Sequence, residues 1–565
     1  MDSQYTKELA DVSLGKEEPD LILKNAKIIN VFTNETESGD VAIKDGIIVG
    51  VGDYHGKNQV DVTGKYICPG FIDSHLHLES TLVCPSELVN RAVRKGTTTF
   101  IVDPHEAANV AGIKGIEYIL EQTEDVQANV FVMVPSCVPA VEFEDNGAEI
   151  TAEEIKLFLN NPRVLGLGEV MDYKAVLNCD KKFLDKLSVV KSKIIDGHAG
   201  FLDEKQLMCY RLAGIETDHE CCDFETAMRE ARTGIRVLIR EGTAAKNLDN
   251  IVSGIIKNHI PVDQFAFCTD DKHIAEIEQQ GHISYQVKRA VALGMAPADA
   301  VKMASINAAK TYGLKNLGAV APGYQADLLI FSDFKTMEIE TVYVKGRKIP
   351  SEDTPVLIDP NPALLHTVRP GKVDLESFKL CPDSPEIPVI NIVEGQILTS
   401  KTIEKVTLVN GAVQLKENDS KAAVFERHKA TGKRGLCILK GYAIRNGAIA
   451  STFCHDSHNL IVVGDNDQDM LLAVKELERC QGGYTIIENG KVVHTLKLPI
   501  MGLISMDGNE AVTLKLSEMI KKAHDMGISQ NIDPFITLSF LALPVIPEIR
   551  ITARGIYDVQ KEKFI

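Results

Sequence analysis

The chain has 565 residues, of which 44% are hydrophobic and 25% charged, and its formal net charge is -18. Because single cores stop growing beyond roughly 250–300 residues, this length predicts two or three domains. No apolar run reaches the roughly 20 residues of a membrane-spanning helix, and the negative charge disfavours nucleic acid as a partner. The composition therefore predicts a globular protein that binds neither a membrane nor nucleic acid.

The N-terminal segment is polar and charged, without the apolar core of a secretory signal or the Arg-rich character of a transit peptide. The 12 cysteines form no paired framework, and only Cys221 and Cys222 are neighbours. A large protein that is not exported keeps such thiols reduced. We therefore expect a cytoplasmic protein.

Residues 21–66 alternate short apolar runs with turn signals, which is typical of a small antiparallel sheet. Asp45 and Gly46 lie between two of these runs and predict a hairpin turn. The same alternation of apolar runs and turn signals occurs again at 317–349. We expect residues 1–68 and 317–349 to complete one composite β-sandwich domain around the segment between them.

The intervening segment, 69–316, changes to strands alternating with amphipathic stretches, which predicts a (β/α)8 TIM barrel within an α/β protein. Eight strand ends are predicted in this segment. They lie at 71–75, 98–104, 130–135, 164–169, 193–198, 214–219, 235–241 and 265–271.

A proline-rich segment at 350–374 reads as a linker. Residues 375–565 then mix strand-like and helical runs, so they predict a C-terminal α+β domain. We expect this domain to close over the active site.

Two histidines, His75 and His77, follow an apolar run two positions apart in "CPGFIDSHLHLES". Side chains alternate along a strand, so both point the same way at the carboxyl end of the first barrel strand. The pair can hold a metal ion, although an isolated His-x-His also occurs in turns without any function.

Four further strand ends carry residues that commonly ligate metals. They are Glu169, His198, His219 and Asp270. Four histidines and two carboxylates at one end of a barrel can hold two divalent ions with one carboxylate between them. Asp270, next to the resulting hydroxide, is the predicted general base, and the predicted chemistry is hydrolysis of a polarised C=O or C=N bond.

Other polar residues at the predicted strand ends leave alternatives open. Asp103, His105 and Glu106 can face substrate, hold an extra ion or orient His75, or they can simply begin a helix. Asp271 competes with Asp270 for the metal, and strand alternation predicts that it points away.

Acidic residues beside the ligands widen the list of candidates. Glu79 lies two residues after the predicted ligand His77, Glu220 directly follows His219, and Glu220 is a catalytic candidate. Arg240 and Glu241 lie at the predicted mouth of the barrel, where an amidine edge calls for a carboxylate. We therefore expect Arg240 to bind substrate and Glu241 to take part in catalysis.

The stretch "PGFIDSHLH", the ligand order that follows it and the closing "GAVAPGYQADLLIF" resemble the amidohydrolase superfamily over residues 21–349. Hydantoinases and dihydroorotases of that superfamily carry a carboxylated Lys where this chain has Glu169. The chain is more similar to the bacterial and archaeal adenine deaminase family. That resemblance is carried by "DPHEAANVAG", "GLGEVMD", "REGTAAKNL", "HDSHNLIVVG" and "FLALPVIPEIRIT".

The resemblance implies a binuclear centre with two divalent ions, Mn(2+) or Fe(2+), that converts adenine to hypoxanthine and ammonia in purine salvage. It also implies a homodimer or larger homo-oligomer. The motif "HDSHN" lies in the third domain, and the resemblance implies that His458 or Asn459 reaches the substrate.

Three other interpretations compete with this one. The zinc deaminases use H-x-E with C-x-x-C, and although His77-Leu78-Glu79 supplies the first motif, the chain has no C-x-x-C. A second alternative is a superfamily hydrolase of another aminated heterocycle. A third is a non-catalytic relative, which is disfavoured because all six ligand positions are filled.

Overall fold

The computed structural model describes residues 3–190, 192–200, 202–243, 245–351, 358–394, 396 and 398–565. The predicted linker at 350–374 therefore lies partly outside the described residues, at 352–357, as does Ala244 in the "REGTAAKNL" stretch. Within the described ranges, no helix is both long and apolar enough to cross a bilayer.

The N-terminal segment forms a helix and five strands, and the predicted hairpin is confirmed. Asp45 and Gly46 have φ of 49° and 75°, and positive φ at both positions is what a two-residue turn between antiparallel strands requires. The elements are α1 (Ser3–Ser13), β1 (Leu21–Asn30), β2 (Glu35–Lys44), β3 (Ile47–Gly52), β4 (Gln59–Asp61) and β5 (Tyr66–Pro69).

Eight parallel strands follow, and the (β/α)8 barrel is confirmed. They are β6 (Phe71–Leu76), β7 (Thr97–Val102), β8 (Asn129–Val134), β9 (Val164–Val170), β10 (Ile194–Gly197), β11 (Thr217–Asp218), β12 (Arg236–Arg240) and β13 (Phe265–Cys268). Hydrogen bonds from Asp270 N to His75 O (3.0 Å) and from Glu216 N to Ile195 O (2.9 Å) join the sheet β10-β9-β8-β7-β6 to the sheet β11-β12-β13. All predicted ligands therefore lie at or just beyond strand ends.

The barrel helices begin where the sequence supplies capping groups. Thr151 and Asp203 each accept a hydrogen bond from the backbone three residues later, as part of capping boxes with Glu154 and Gln206. The helices are α2 (Pro85–Arg94), α3 (His105–Ala111), α4 (Ile113–Gln122), α5 (Ala152–Phe158), α6 (Tyr173–Leu177), α7 (Lys181–Val189), α8 (Glu204–Leu212), α9 (Phe224–Arg232), α10 (Leu248–Lys257), α11 (Ile274–Gln280), α12 (Ile283–Ala292), α13 (Pro297–Met303) and α14 (Ile306–Thr311).

After the barrel the chain returns to the first sheet through β14 (Leu328–Phe331), β15 (Ile339–Val344) and β16 (Arg347–Lys348). The strands form one continuous sheet in the order β16-β15-β14-β5-β1-β2-β3, with β4 beside β1. Antiparallel pairing of β14 with β5 joins the two halves, with Ile330 opposite Ile67. The sheet packs around its own buried aliphatic cluster, separate from the barrel core.

The C-terminal region is built on an eight-stranded sheet in the order β18-β17-β22-β21-β24-β23-β25-β26. Its first strands are β17 (Glu386–Ile392), β18 (Thr399–Lys405), β19 (Thr407–Val409), β20 (Ala412–Gln414), β21 (Ser420–Phe425), β22 (Arg434–Lys440) and β23 (Gly447–Ser451). They are followed by β24 (Leu460–Gly464), α15 (Asp467–Cys480), β25 (Gly483–Glu488), β26 (Lys491–Lys497), α16 (Asn509–Asp525), α17 (Pro534–Leu541), β27 (Ile549–Thr552), β28 (Gly555–Asp558) and β29 (Lys563–Phe564).

This region is the predicted α+β unit. Short 3-10 helices complete the described chain at Leu78–Thr81, Val262–Gln264, Pro362–Leu365 and Leu375–Phe378. The exact domain boundaries drawn from the sequence stay a prediction.

The close packing of β9 against β10 can be tested at Gly166, which lies in β9. A Cβ at Gly166 would lie 1.9 Å from the carbonyl oxygen of Ile194 in β10. We expect Gly166→Ala to lower the free energy of unfolding by roughly 1–3 kcal/mol, the usual cost of overpacking.

Urea unfolding of the two alanine variants Gly166→Ala and Gly39→Ala measures this cost. Gly39, also in a strand, is the matched control, because a Cβ there would meet its nearest atom at 3.4 Å, an ordinary contact. Equal midpoints for the two variants would contradict the predicted clash.

Candidate active site

The six predicted ligands converge at the carboxyl end of the barrel. His75 and His77 point to the same side of β6, and their Nε2 atoms lie 3.4 and 3.0 Å from Glu169 Oε1. The His75 and His219 rings stack with centroids 4.0 Å apart. Residues from distant parts of the sequence thus meet around one carboxylate.

Glu169 lies at the centre of this cluster, and each of its oxygens faces a different set of imidazoles. Oε1 faces three rings, those of His75, His77 and His105. Oε2 faces two: His198 Nδ1 lies 2.8 Å away and His219 Nε2 3.5 Å away. A carboxylate with two separately surrounded oxygens is suited to lie between two cations.

Asp270, just beyond the end of β13, contacts the same cluster. Its Oδ1 lies 3.1 Å from His77 Nε2 and 3.7 Å from His75 Nε2. Its Oδ2 accepts a hydrogen bond of 2.8 Å from Arg240 Nη1, and the same guanidinium nitrogen contacts Glu220 Oε1. Arg240 therefore holds both carboxylates in place at the edge of the cavity.

The prediction that the Asp271 side chain points away from the site is wrong. Strand β13 ends at Cys268, and Asp270 has a φ of 59°, so side-chain alternation does not continue through this turn. Asp271 lines the cavity, and its Oδ1 accepts a hydrogen bond from Ser80 Oγ. Both carboxylates lie within reach of His77.

The electrostatics of the cluster favour bound positive charge. Burial opposes ionisation of Glu169, but the surrounding histidines, with His219 foremost, outweigh it and hold the carboxyl pKa well below its usual range. Burial also opposes ionisation of Asp270, where Arg240 and His77 outweigh it and lower the pKa well below its usual range. Burial opposes protonation of His198, yet Glu220 and Glu169 raise its pKa to about 9.

A cavity of about 340 Å³ opens over the cluster. The barrel supplies its polar floor, including Glu169, His198, Glu220 and Asp270. The C-terminal region supplies the opposite wall, which is largely apolar. The described residues of that wall are Gln396, Leu398, His455, Asp456, Phe540, Leu543, Val545 and Ile546.

Two of the predicted substrate-binding residues in the barrel lie behind the cavity wall. Asp103 Oδ2 accepts a hydrogen bond of 2.8 Å from Glu169 N, and Asp103 O lies 2.8 Å from His77 Nδ1, so this residue positions two ligands. Glu106 is fully buried and lies 3.2 Å from His455 Nδ1. His105, by contrast, lines the cavity as predicted.

Glu241 is not placed among the described residues that line the cavity. Its backbone pairs with Lys246, and its carboxylate lies near Lys272 and near the backbone N–H of Leu248, the first residue of α10. The predicted catalytic assignment of Glu241 therefore has no support in the geometry.

The predicted motif in the C-terminal region reaches the site through different residues. Asn459 Nδ2 donates to Asp145 O at 2.8 Å, and Asn459 Oδ1 accepts from Arg427 N at 3.2 Å, so its amide joins two loops. His458 is buried, and its Nδ1 accepts a hydrogen bond from Cys454 N at 3.1 Å. The residues of "HDSHN" that line the cavity are His455 and Asp456.

Sequence reasoning missed His455 and Asp456, although the signal was present in the same motif. The polar run marks a buried turn outside the barrel, but a turn has no side-chain period that shows which residues face a ligand. His455 stacks on Phe540 with ring centroids 4.7 Å apart, and this packing directs it to the cavity.

Comparison with known proteins agrees with this architecture. Residues 66–349 match the amidohydrolase family model, and residues 396–563 match the model of the adenine deaminase C-terminal domain. A protein named adenine deaminase from Desulfitobacterium hafniense is 51% identical over 566 residues, which cover 100% of this chain and 99% of the relative. The chain belongs to the adenine deaminase family.

Two further adenine deaminase relatives match over nearly the whole chain. One from Clostridium acetobutylicum is 44% identical over 99% of this chain and 99% of its own length. Another from Carboxydothermus hydrogenoformans, named adenine deaminase 2, is 42% identical over 98% of each chain. Both identities extend across the barrel and the C-terminal region alike.

The amidohydrolase superfamily to which the adenine deaminase family belongs is metal-dependent, and the residues present fit a metal. Triplets such as His75, His77 and Glu169 place their ligand atoms within 4.8 Å of one another, and so do Glu169, His198 and His219. Buried His75 Nε2 and Glu169 Oε1 have no hydrogen-bond partner among the described residues. Imidazole and carboxylate donors suit manganese, iron and zinc.

Asp145 anchors the C-terminal region over the barrel. Its carboxylate lies 2.6 Å from Lys433 Nζ and 2.8 Å from Arg554 Nε, and its backbone oxygen accepts from Asn459. Burial raises the pKa of Asp145, but Arg554 and Lys433 outweigh burial and hold this pKa below its ordinary value.

We expect Asp145→Ala to lower the free energy of unfolding by about 1 kcal/mol, because its partners are partly exposed. Urea unfolding measures the loss. Asp185→Ala is the control, because among the described residues the Asp185 carboxylate pairs with Lys181 alone, along one exposed helix, where such a pair is worth about 0.3–0.5 kcal/mol. Equal losses of unfolding free energy in the two variants would show that the Asp145 contacts stabilise the protein no more than an exposed ion pair does.

Proposed function

We propose that this protein hydrolyses adenine to hypoxanthine and ammonia, and that it serves purine salvage. Support for the substrate comes from the names of the relatives, which match along the whole chain. Support for the chemistry comes from one observation: the two oxygens of Glu169 face separate groups of imidazoles, with Asp270 beside them.

We propose two divalent ions, Mn(2+) or Fe(2+), as the cofactor, and six residues would hold them. The proposed ligands are His75, His77, Glu169, His198, His219 and Asp270. When bound, such ions supply a hydroxide nucleophile at neutral pH. Nearby carboxylates outweigh burial and raise the pKa of His77 and of His198, so a metal would compete with protons at these two ligands.

The chain's own residues then handle substrate and protons. Asp270 is ionised at neutral pH because Arg240 and His77 outweigh its burial, so it can accept the proton of the nucleophile. The same carboxyl returns that proton to the amino group at C6, which leaves as ammonia. Arg240 keeps Oδ2 of Asp270 in place throughout, at 2.8 Å.

Glu220 is the proposed second acid-base group. It lines the cavity, contacts Arg240, and lies 3.6 Å from His219 Nε2. From this position it can hold a proton next to a ring nitrogen of the base as attack at C6 proceeds. The apolar residues Leu543, Val545 and Ile546 of the opposite wall exclude bulk water and cover the faces of a planar base.

The test of substrate and cofactor is ammonia release by the purified protein, loaded with manganese or with iron. Adenine, guanine and cytosine are followed by ammonia release. N6-methyladenine, which would release methylamine, and hydantoin, whose ring would open without releasing ammonia, are followed by loss of substrate. Release from adenine alone supports the proposal. Release from another amino-heterocycle in preference to adenine would favour the alternative superfamily hydrolase. A cytoplasmic location and a homodimeric or larger assembly stay predictions.

We expect Glu169→Gln to leave the fold intact but to lose metal and turnover, because a neutral amide would hold divalent cations more weakly than a carboxylate does. Mass spectrometry measures the metal content per chain, and circular dichroism checks that the fold is intact. Glu117→Gln, an exposed position on α4, is the matched control. Full metal occupancy and normal turnover in Glu169→Gln would show that Glu169 is not a metal ligand.

For the proton acceptor, we expect Asp270→Asn to reduce kcat by roughly 10²–10⁴-fold, the usual worth of a positioned acid-base group. Asp271→Asn should be milder, because Asp271 bonds to Ser80 and has no contact with Arg240 among the described residues. Steady-state kinetics of both variants decide the matter. The reverse order of the two effects would transfer the role of base to Asp271.

A further inference from the structure

Asp456 is an unusual group on the wall that the C-terminal region supplies. Its side chain is buried, and it is the one carboxylate among the described C-terminal residues that line the cavity. Its Oδ1 lies 3.9 Å from His105 Nε2 and 3.7 Å from His455 Nδ1. Its Oδ2 has no hydrogen-bond partner among the described residues.

A buried carboxylate oxygen without a partner is costly, so its retention needs a reason. No Lys or Arg among the described residues forms an ion pair with Asp456, whereas Arg240 serves both Asp270 and Glu220 on the barrel side. The missing donor is therefore best supplied by a ligand in the cavity.

The position of Asp456 identifies which part of a purine would meet it. His105 lies between it and the metal-ligand cluster, with Nδ1 at 3.4 Å from Glu169 Oε1 and Nε2 facing Asp456. The reacting C6 and its amino group must lie at the cluster, next to Asp270. The opposite end of a flat bicyclic base then points toward Asp456.

A carboxylate accepts hydrogen bonds and cannot donate them when ionised. Adenine offers only two kinds of N–H: the amino group at C6, which is at the reacting end, and the N–H of the five-membered ring. In a nucleoside the ring nitrogen N9 carries the sugar and has no hydrogen.

We propose that Asp456 Oδ2 accepts a hydrogen bond from the five-membered-ring N–H of the purine, and that it thereby selects the free base against N9-substituted purines. This inference rests on the proposed function and assigns a specificity-determining residue to it. A site built to bond a substrate N–H rejects an analogue without it strongly, because the site's buried polar group is left unpaired.

The experiment compares adenine with 9-methyladenine in ammonia release, using wild type, Asp456→Ala, the conservative Asp456→Asn and the control Ser457→Ala. Ser457 lies on the same turn and does not line the cavity among the described residues. We expect wild type to prefer adenine by about 10²-fold or more in kcat/KM. Metal content of each variant is measured to show that the cluster is intact.

In Asp456→Ala we expect kcat/KM for adenine to fall by about 10- to 100-fold, mainly through KM, because the contact is remote from the reacting carbon. The value for 9-methyladenine should not fall, so the preference for the free base shrinks by the same factor. Asp456→Asn should lie between wild type and Asp456→Ala, because its amide oxygen still accepts a hydrogen bond. Ser457→Ala should leave the preference unchanged.

An equal fall on both substrates in Asp456→Ala and Asp456→Asn would overturn the inference and assign Asp456 a structural role. So would a wild type that does not discriminate between the two bases. If wild type still releases ammonia from adenine, neither of these two results contradicts the proposed function. A wild type that releases no ammonia from adenine refutes the proposed function itself, and this inference with it.

Discussion

The site depends on one buried carboxylate surrounded by imidazoles. Glu169 is 3% exposed, and its two oxygens lie between five histidines that come from separate strands and loops. A charge buried to this degree is tolerated only when it is paired or coordinates a cation. The geometry of the barrel mouth follows from satisfying that single requirement.

Several neighbouring features serve to fix this carboxylate. Asp103 accepts the hydrogen bond of the Glu169 backbone N–H, and a Cβ on Gly168 would lie 2.2 Å from Asp103 Oδ2. Gly168 is thus required for the close approach of β9 to Asp103. On the other side, Ser136 Oγ donates to Glu169 O at 2.6 Å. The ligand is held by its backbone as well as by its side chain.

The C-terminal region contributes the environment in which this centre works. The barrel alone would leave the ligands open to water, whereas Phe540 and its neighbours cover them with apolar surface. A drier site strengthens the attraction between charges and removes competing water. The turn at His455 and Asp456 places a carboxylate and an imidazole in a wall that is otherwise largely apolar.

The elements of the barrel and the six candidate ligands could be predicted because they follow local rules. Strand periodicity showed that His75 and His77 share a face, and apolar runs located Glu169 and Asp270 at strand ends. The hairpin at Asp45 and Gly46 followed from turn chemistry. In the third region, periodicity gave the mixture of helices and strands but not how they pack.

Periodicity could not predict where side chains point beyond the end of a strand. Asp271 faces the cavity because Asp270 has a positive φ, and Asn459 joins two loops because Asp145 lies beside it in the folded chain. The sequence by itself determined the fold class and placed the six candidate ligand residues, in their order, at the strand ends. Only the tertiary structure decided which acids and which residues of "HDSHN" meet the cavity, because those contacts join segments that are hundreds of residues apart.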